Sequence, residues 1–183
     1  MGITEIINKN IFERVHPCLV NTNSYIGNIN GVFNASIINS SPVGQTIMQG
    51  EGAGPGPTSS ALMSDLYSIL RGNIKYPFIT PYKLRKRIRQ FNHLNYSYSC
   101  YLRFEVVDKP GVLSSITKNL GENKISIEKL MQIPDKKKRT ASINIITHKT
   151  VEKRIFKCLH KLKKNKHIIK SPTFIRVGDI NGN

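Results

Sequence analysis

The stretch YLRFEVVDKPGVLSSITKNLGENKISI, residues 101 to 127, decides the fold. Residues 101 to 108 place Leu102, Phe104 and Val106 at every second position, the period of a strand with one buried face. Pro110 and Gly111 break that period, and residues 111 to 123 then bring Leu113, Ile116 and Leu120 round at helical spacing. Residues 125 to 133 and 140 to 147 read as two further strands. The charged turn between them, Asp135 to Arg139, reads as a solvated hairpin tip. A second amphipathic helix runs from residue 151 to about 164, with Val151, Ile155, Cys158, Leu159 and Leu162 on its apolar face, and a last strand covers 172 to 177. The order is βαββαβ. It predicts an α+β, ferredoxin-like domain, a four-stranded antiparallel sheet with two helices on one face.

Upstream of that block the pattern changes. Residues 12 to 20 (FERVHPCLV), 32 to 38 (VFNASII) and 43 to 49 (VGQTIMQ) read as strands of an antiparallel sheet, with Pro17 marking an edge or a bulge. The segment GEGAGPGPTSS at 50 to 60 leads into a helix over 61 to 70, with Thr58 or Ser59 as its cap and Leu62, Leu66, Ile69 and Leu70 in period. Arg71 and Gly72 end it. Residues 73 to 98 hold two prolines and five cations between positions 83 and 89 without an acidic residue, which predicts a basic linker or a weak basic helix. Three parts are therefore expected: 1 to 72, the linker 73 to 98, and the βαββαβ domain at 99 to 179.

Composition narrows the class. The chain has 183 residues, 39% of them hydrophobic, and no apolar run long enough to span a bilayer, so no membrane partner is expected. No secretory or transit signal is visible, which makes the cytoplasm the expected location. Cys18, Cys100 and Cys158 lie far apart and form no pair motif, and the five histidines show no ligand spacing, so neither disulfide nor metal is expected. The formal net charge of +17 admits a polyanion. Lys, Ile and Asn, all favoured by A/T-rich codons, supply 19, 25 and 17 residues, however, and the basic runs carry no recognised motif or aromatic platform. They read as solvated faces, and nucleic acid is not the expected partner.

Two loops carry chemistry. In the first, Gly52, Gly54 and Gly56 precede a helix and permit close approach of a ligand to backbone; a purely structural role is equally open, and the spacing is not a dinucleotide fingerprint. The second is Asp108-Lys109-Pro110-Gly111-Val112-Leu113. Its glycine and helix start suit a carboxylate, although a sharp strand-to-helix turn needs no ligand.

Taken together, RVHPCLV at 14 to 20, GVFNA at 31 to 35, GEGAGPGPTSSA at 50 to 61 and Asp65-Leu66 resemble, in the right order, the end of the catalytic domain of homoserine dehydrogenases. DKPGVL at 108 to 113 and ISIE at 125 to 128, within the βαββαβ order, resemble the ACT domain that follows in many bacterial members. The resemblance implies an NAD- or NADP-dependent interconversion of L-homoserine and L-aspartate 4-semialdehyde, and a homo-oligomer formed through the catalytic sheet and the ACT domain. It implies a small amino-acid effector, threonine by preference, at Asp108, Gly111, Val112 and Ser126. Gly52, Ala53 and Gly54 would lie beside the nicotinamide. The family's nucleotide-binding unit, proton-transferring Lys and homoserine-holding acids have no counterpart here, so no catalytic residue is assigned. The chain is expected to be a C-terminal part that is inactive alone and easily cleaved before about residue 98. A stand-alone amino-acid-binding module is the alternative reading.

Overall fold

A computed structural model describes residues 1–73, 81–135 and 137–178. In chain order its strands and helices are β1 (Gly2–Ile7), β2 (Asn10–Val15), β3 (Cys18–Leu19), β4 (Phe33–Ser40), β5 (Gly44–Glu51), α1 (Pro55–Leu70), β6 (Arg89–Gln90), β7 (Ser97–Tyr98), β8 (Cys100–Val107), α2 (Val112–Glu122), β9 (Ile127–Asp135), β10 (Thr140–Thr147), β11 (Thr150–Val151), α3 (Glu152–Leu162) and β12 (Thr173–Val177). They fall into two compact units. One comprises Met1–Val20 with Ile88–Asp179, the other Asn21–Arg87.

In the first unit the expected sheet is present, in the order β12-β8-β10-β9 and antiparallel throughout. Alternation along β8 and β10 sends Leu102, Phe104, Val106, Ala141, Ile143 and Ile145 to one face, all at most 1% exposed. Opposite them α2 contributes Val112, Ile116 and Leu120, and α3 contributes Ile155, Cys158, Leu159 and Leu162. These apolar stripes, three to four residues apart, have no other place to be buried, which is why the helices lie on the sheet. Val151 belongs to β11 rather than to the helix, and Leu113 is only partly buried.

The unit also takes in residues from outside the βαββαβ block. β3 adds to the sheet edge in parallel with β12, pairing Cys18 with Arg176 and Leu19 with Val177. The single strand expected over 12 to 20 is two strands, because Pro17 has no N–H for a ladder and its fixed φ interrupts the pairing after Val15. β1 and β2 form a hairpin whose free side receives β6. Phe12, 2% exposed, stacks on Tyr96 at 4.1 Å between centroids and meets Phe91 edge-on at 6.4 Å. Residues 88 to 98, expected as linker, are therefore held in place: β6 pairs with β2, β7 with β11, and Glu152 donates its backbone N–H to Tyr96. Residues 74 to 80 of that expected linker lie outside the described residues.

The second unit holds the hairpin β4–β5 and helix α1. The strands pair in register from Phe33 opposite Glu51 to Ser40 opposite Gly44. α1 begins at Pro55, six residues earlier than expected, because Pro55 at the first helical position and Pro57 within the first turn occupy the places where a missing N–H costs nothing. Gly54, not Thr58 or Ser59, stands at the N-cap. Ser59 instead bonds back to the Pro55 carbonyl at 2.6 Å. The apolar positions of α1 are at helical spacing as expected, yet none is buried. Leu62, Leu66, Ile69 and Leu70 are 66%, 46%, 58% and 72% exposed.

Candidate effector-binding site

At the end of β8 the backbone leaves the sheet through Asp108, Lys109 and Pro110 and enters α2 at Gly111. Gly111 has φ +86°, a left-handed conformation that glycine adopts without strain. A hollow of about 350 Å³ opens at this turn, lined by Asp108, Gly111 and Val112 together with Gln132 from β9 and Ile143 from β10. No side chain caps the N-terminus of α2. The Val112 N–H is bonded to the Lys109 carbonyl at 3.4 Å, so the next amides of the first turn, those of Leu113 and Ser114, and the positive end of the helix dipole are what the helix start offers to the hollow. The Asp108 backbone N–H is held by the Arg139 carbonyl at 3.0 Å, and its carboxylate accepts a long hydrogen bond from Gln132 Nε2 at 3.4 Å. A helix start offering N–H donors beside a carboxylate is a pair of opposite charges suited to the two ends of a free amino acid.

Three of the four expected effector residues, Asp108, Gly111 and Val112, meet here. Ser126 does not. It lies just before β9, where its carbonyl accepts the His148 N–H at 3.0 Å, while the hollow lies towards the other end of that strand. The register puts Asp135 opposite Thr140 and Ile127 opposite Thr147, so the two ends of β9 stand about 25 Å apart at roughly 3.3 Å per residue. Gln132 is the residue that sequence reasoning missed. Its signal lay in register: opposite Ile143, it shares that residue's side of the sheet.

The glycine loop is built for its own fold. A Cβ on Gly52 would meet the exposed Asn34 side chain, which can swing away, whereas Gly54 has φ +123°, so conformation requires glycine at 54 before any ligand is considered. Gly52 also donates its N–H to the Val32 carbonyl at 2.9 Å. Pro55 and Pro57 remove two donors from the first turn of α1, and the Thr58 N–H is bonded to the Gly54 carbonyl at 3.2 Å, so Gly56 supplies the free N–H there. That donor set is poor for a pyrophosphate. It suits at most one neutral contact, such as a carboxamide.

A second polar constellation was not foreseen. Glu152, at the start of α3, is fully buried, with Arg14 Nη1 at 2.7 Å and Arg176 Nη2 closer still. The Tyr98 hydroxyl accepts from Arg176 Nε at 2.8 Å and from Arg14 Nη1 at 3.3 Å. Burial alone would raise the Glu152 carboxyl, but hydrogen bonds from Arg14, Tyr98 and Arg176 outweigh it and hold the group below its ordinary range. The three cysteines are free, and burial pushes the Cys158 thiol up to about 11 and the Cys100 thiol up to about 12, the behaviour of inert core residues.

Comparison with known proteins places both parts. Residues 3–67 match the homoserine dehydrogenase family model, and residues 101–166 match the ACT domain. The chain is 34% identical to the homoserine dehydrogenase of Neisseria gonorrhoeae over 97% of its own length, and 32% identical to that of Helicobacter pylori over 90%. It spans only 42% and 38% of those two relatives. The crystal structure of a homoserine dehydrogenase from Thiobacillus denitrificans superposes with a TM-score of 0.84 at 29% identity, covering 97% of this chain and 41% of that one. The fold thus defines an ACT-domain protein with a homoserine dehydrogenase segment before that domain. In sequence and structure the chain corresponds to the C-terminal part of the homoserine dehydrogenase family.

Proposed function

We propose that this chain is the regulatory and subunit-contact part of a homoserine dehydrogenase that interconverts L-homoserine and L-aspartate 4-semialdehyde with NAD or NADP, and that its ACT domain binds a small amino acid, threonine by preference. The observation that carries the reading is the hollow at Asp108, Gly111, Val112 and Gln132, where an uncapped helix start faces a carboxylate. The α2 amides would receive the effector's carboxylate and Asp108 its ammonium, with Gln132 holding Asp108 in place. The exposed edge of β9 offers unpaired backbone groups to a second copy. Gly52, Ala53 and Gly54 would approach the nicotinamide carboxamide, with Gly56 as donor. The nicotinamide cofactor supplies hydride transfer when bound, and this chain's part is to close the site around it. The exposed apolar positions of β4, β5 and α1 favour assembly with further protein over a stand-alone regulatory module. No helix among the described residues is long and apolar enough to cross a membrane, and the proposed site of action is the cytoplasm.

Titration calorimetry of the full chain with threonine, and in parallel with homoserine, methionine and isoleucine, tests the reading. Saturable heat with threonine that Asp108→Asn abolishes is the expected result. Absence of heat with every amino acid would overturn the effector assignment and leave the domain with assembly alone.

A further inference from the structure

On the sequence alone the basic residues lack an aromatic partner; the fold supplies one. From Lys153 to Lys170 there are eight Lys or Arg and no Asp or Glu, and four of them, Lys153, Arg154, Lys157 and Lys161, lie exposed on α3. The face opposite Ile155, Cys158, Leu159 and Leu162 carries Lys153, Lys157 and Lys161 in one row at intervals of four, so neighbouring charges stand about 5–6 Å apart at the Cβ atoms. Lys161 lies 4.0 Å from Glu122, an exposed pair that offsets little. Glu152, the acidic residue of α3, is buried and committed to Arg14 and Arg176. The row is thus a line of like charges repelling one another on one helix, relieved when an anion chain lies along it. Phe156 projects beside the row, one turn from Lys153 and His160, and is 41% exposed. Its ring is braced against Phe174 at 5.4 Å, and Arg176 covers Phe174 at 4.9 Å, so the exposed aromatic is held in place.

We infer that the outer face of α3 is a binding surface for single-stranded nucleic acid, with Lys153, Lys157 and Lys161 on successive phosphates and Phe156 as a stacking platform for a base. The ring decides the class of partner. A row of cations serves any polyanion, but an exposed, braced aromatic beside it favours bases that are unstacked and reachable, which a duplex does not offer. The surface lies on the outer side of α3 and takes no residue from the hollow at Asp108, so it stands whether or not that hollow binds an amino acid.

Fluorescence anisotropy of the full chain with a labelled 20-nucleotide oligothymidylate, a duplex of the same length and heparin tests it. The expected result is tighter binding to the single strand than to the duplex, with log affinity falling linearly as log salt rises, by about 0.7 per phosphate neutralised. Lys153→Glu with Lys157→Glu, both exposed and remote from the core, should weaken all binding at least tenfold and flatten the salt slope. Phe156→Leu keeps an apolar side chain beside Phe174 but removes the ring, and should weaken the single strand several-fold without changing that slope. Equal affinity for single strand, duplex and heparin, untouched by Phe156→Leu, would overturn the inference and leave a generic polyanion face. Absence of binding at low salt would overturn it outright.

Discussion

Arg14 and Glu152, 138 residues apart in sequence, meet in a 2.7 Å ion pair with side chains only 13% and 1% exposed. Arg14 lies in β2 and Glu152 begins the second helix of the ACT domain, so within the first unit the pair fastens the β1–β2 hairpin to that domain. With Arg176 and Tyr98 it forms a network in which every carboxylate oxygen of Glu152 is engaged. Glu152→Ala would leave two guanidinium groups facing each other without an anion. It should destabilise the first unit by about 3–5 kcal/mol, the usual result of breaking a buried pair from one side. Urea unfolding followed by circular dichroism measures it, and a loss below about 1 kcal/mol, the scale of surface pairs, would show the network to be ornamental.

The same network sets an acid limit. Because the folded carboxyl of Glu152 is held below its ordinary value, its stabilisation is fully present above the unfolded carboxylate range, about pH 4.3, and is lost as pH falls through the lowered folded value. The difference in unfolding free energy between wild type and Glu152→Gln should therefore be constant from pH 7 to 5 and shrink below pH 4. A difference that shrinks between pH 7 and 5 would contradict this assignment.

Proteolysis should follow the packing rather than the order of the sequence segments. Residues 1–20 belong to the same compact unit as 88–179, whereas β4, β5 and α1 expose their apolar side chains. Limited digestion is expected to cut within 21–87 and leave two fragments, one from each side, that stay together on a sizing column. Loss of the N-terminal fragment would show that β3 and Arg14 contribute little to the unit.

Gly111 separates conformation from ligand approach. A Cβ there would meet nothing within 4 Å, but φ is +86°. Gly111→Val should therefore cost at least about 1–2 kcal/mol through backbone strain alone, and Gly111→Asn less, since Asn tolerates that conformation. Thermal melts of the two variants check it. Equal destabilisation by both would show that contacts, not φ, fix the residue.

The βαββαβ block was legible because its two periods, two in the strands and 3.6 in the helices, come from burial on a single face, and Leu102, Phe104, Ile116 and Ile155 fulfil that reading. The turn at Gly111 was legible for a similar reason, since only a few residue types suit it. What could not be read was long-range pairing. The addition of β3 beside β12 and the pairing of Glu152 with Arg14 rest on partners more than a hundred residues away, and a lone Glu at a helix start looks like an ordinary dipole partner. Gln132 was hidden by register, and Ser126 was drawn to the site by motif although the strand carries it to the far end. α1 shows the converse: its apolar period is clear in sequence, but period does not say what will cover it.

If the turn from Asp108 into α2 receives a free amino acid, as proposed, amide chemical shifts report on it residue by residue. In a two-dimensional nitrogen-proton spectrum of the full chain, saturating threonine should move the amides of Gly111, Val112, Leu113 and Ser114, together with the Gln132 side-chain amide, and leave Ser126 and His148 in place. Unmoved amides at 111–114 in the presence of saturating threonine, or shifts confined to the Ser126 end of β9, would contradict the account.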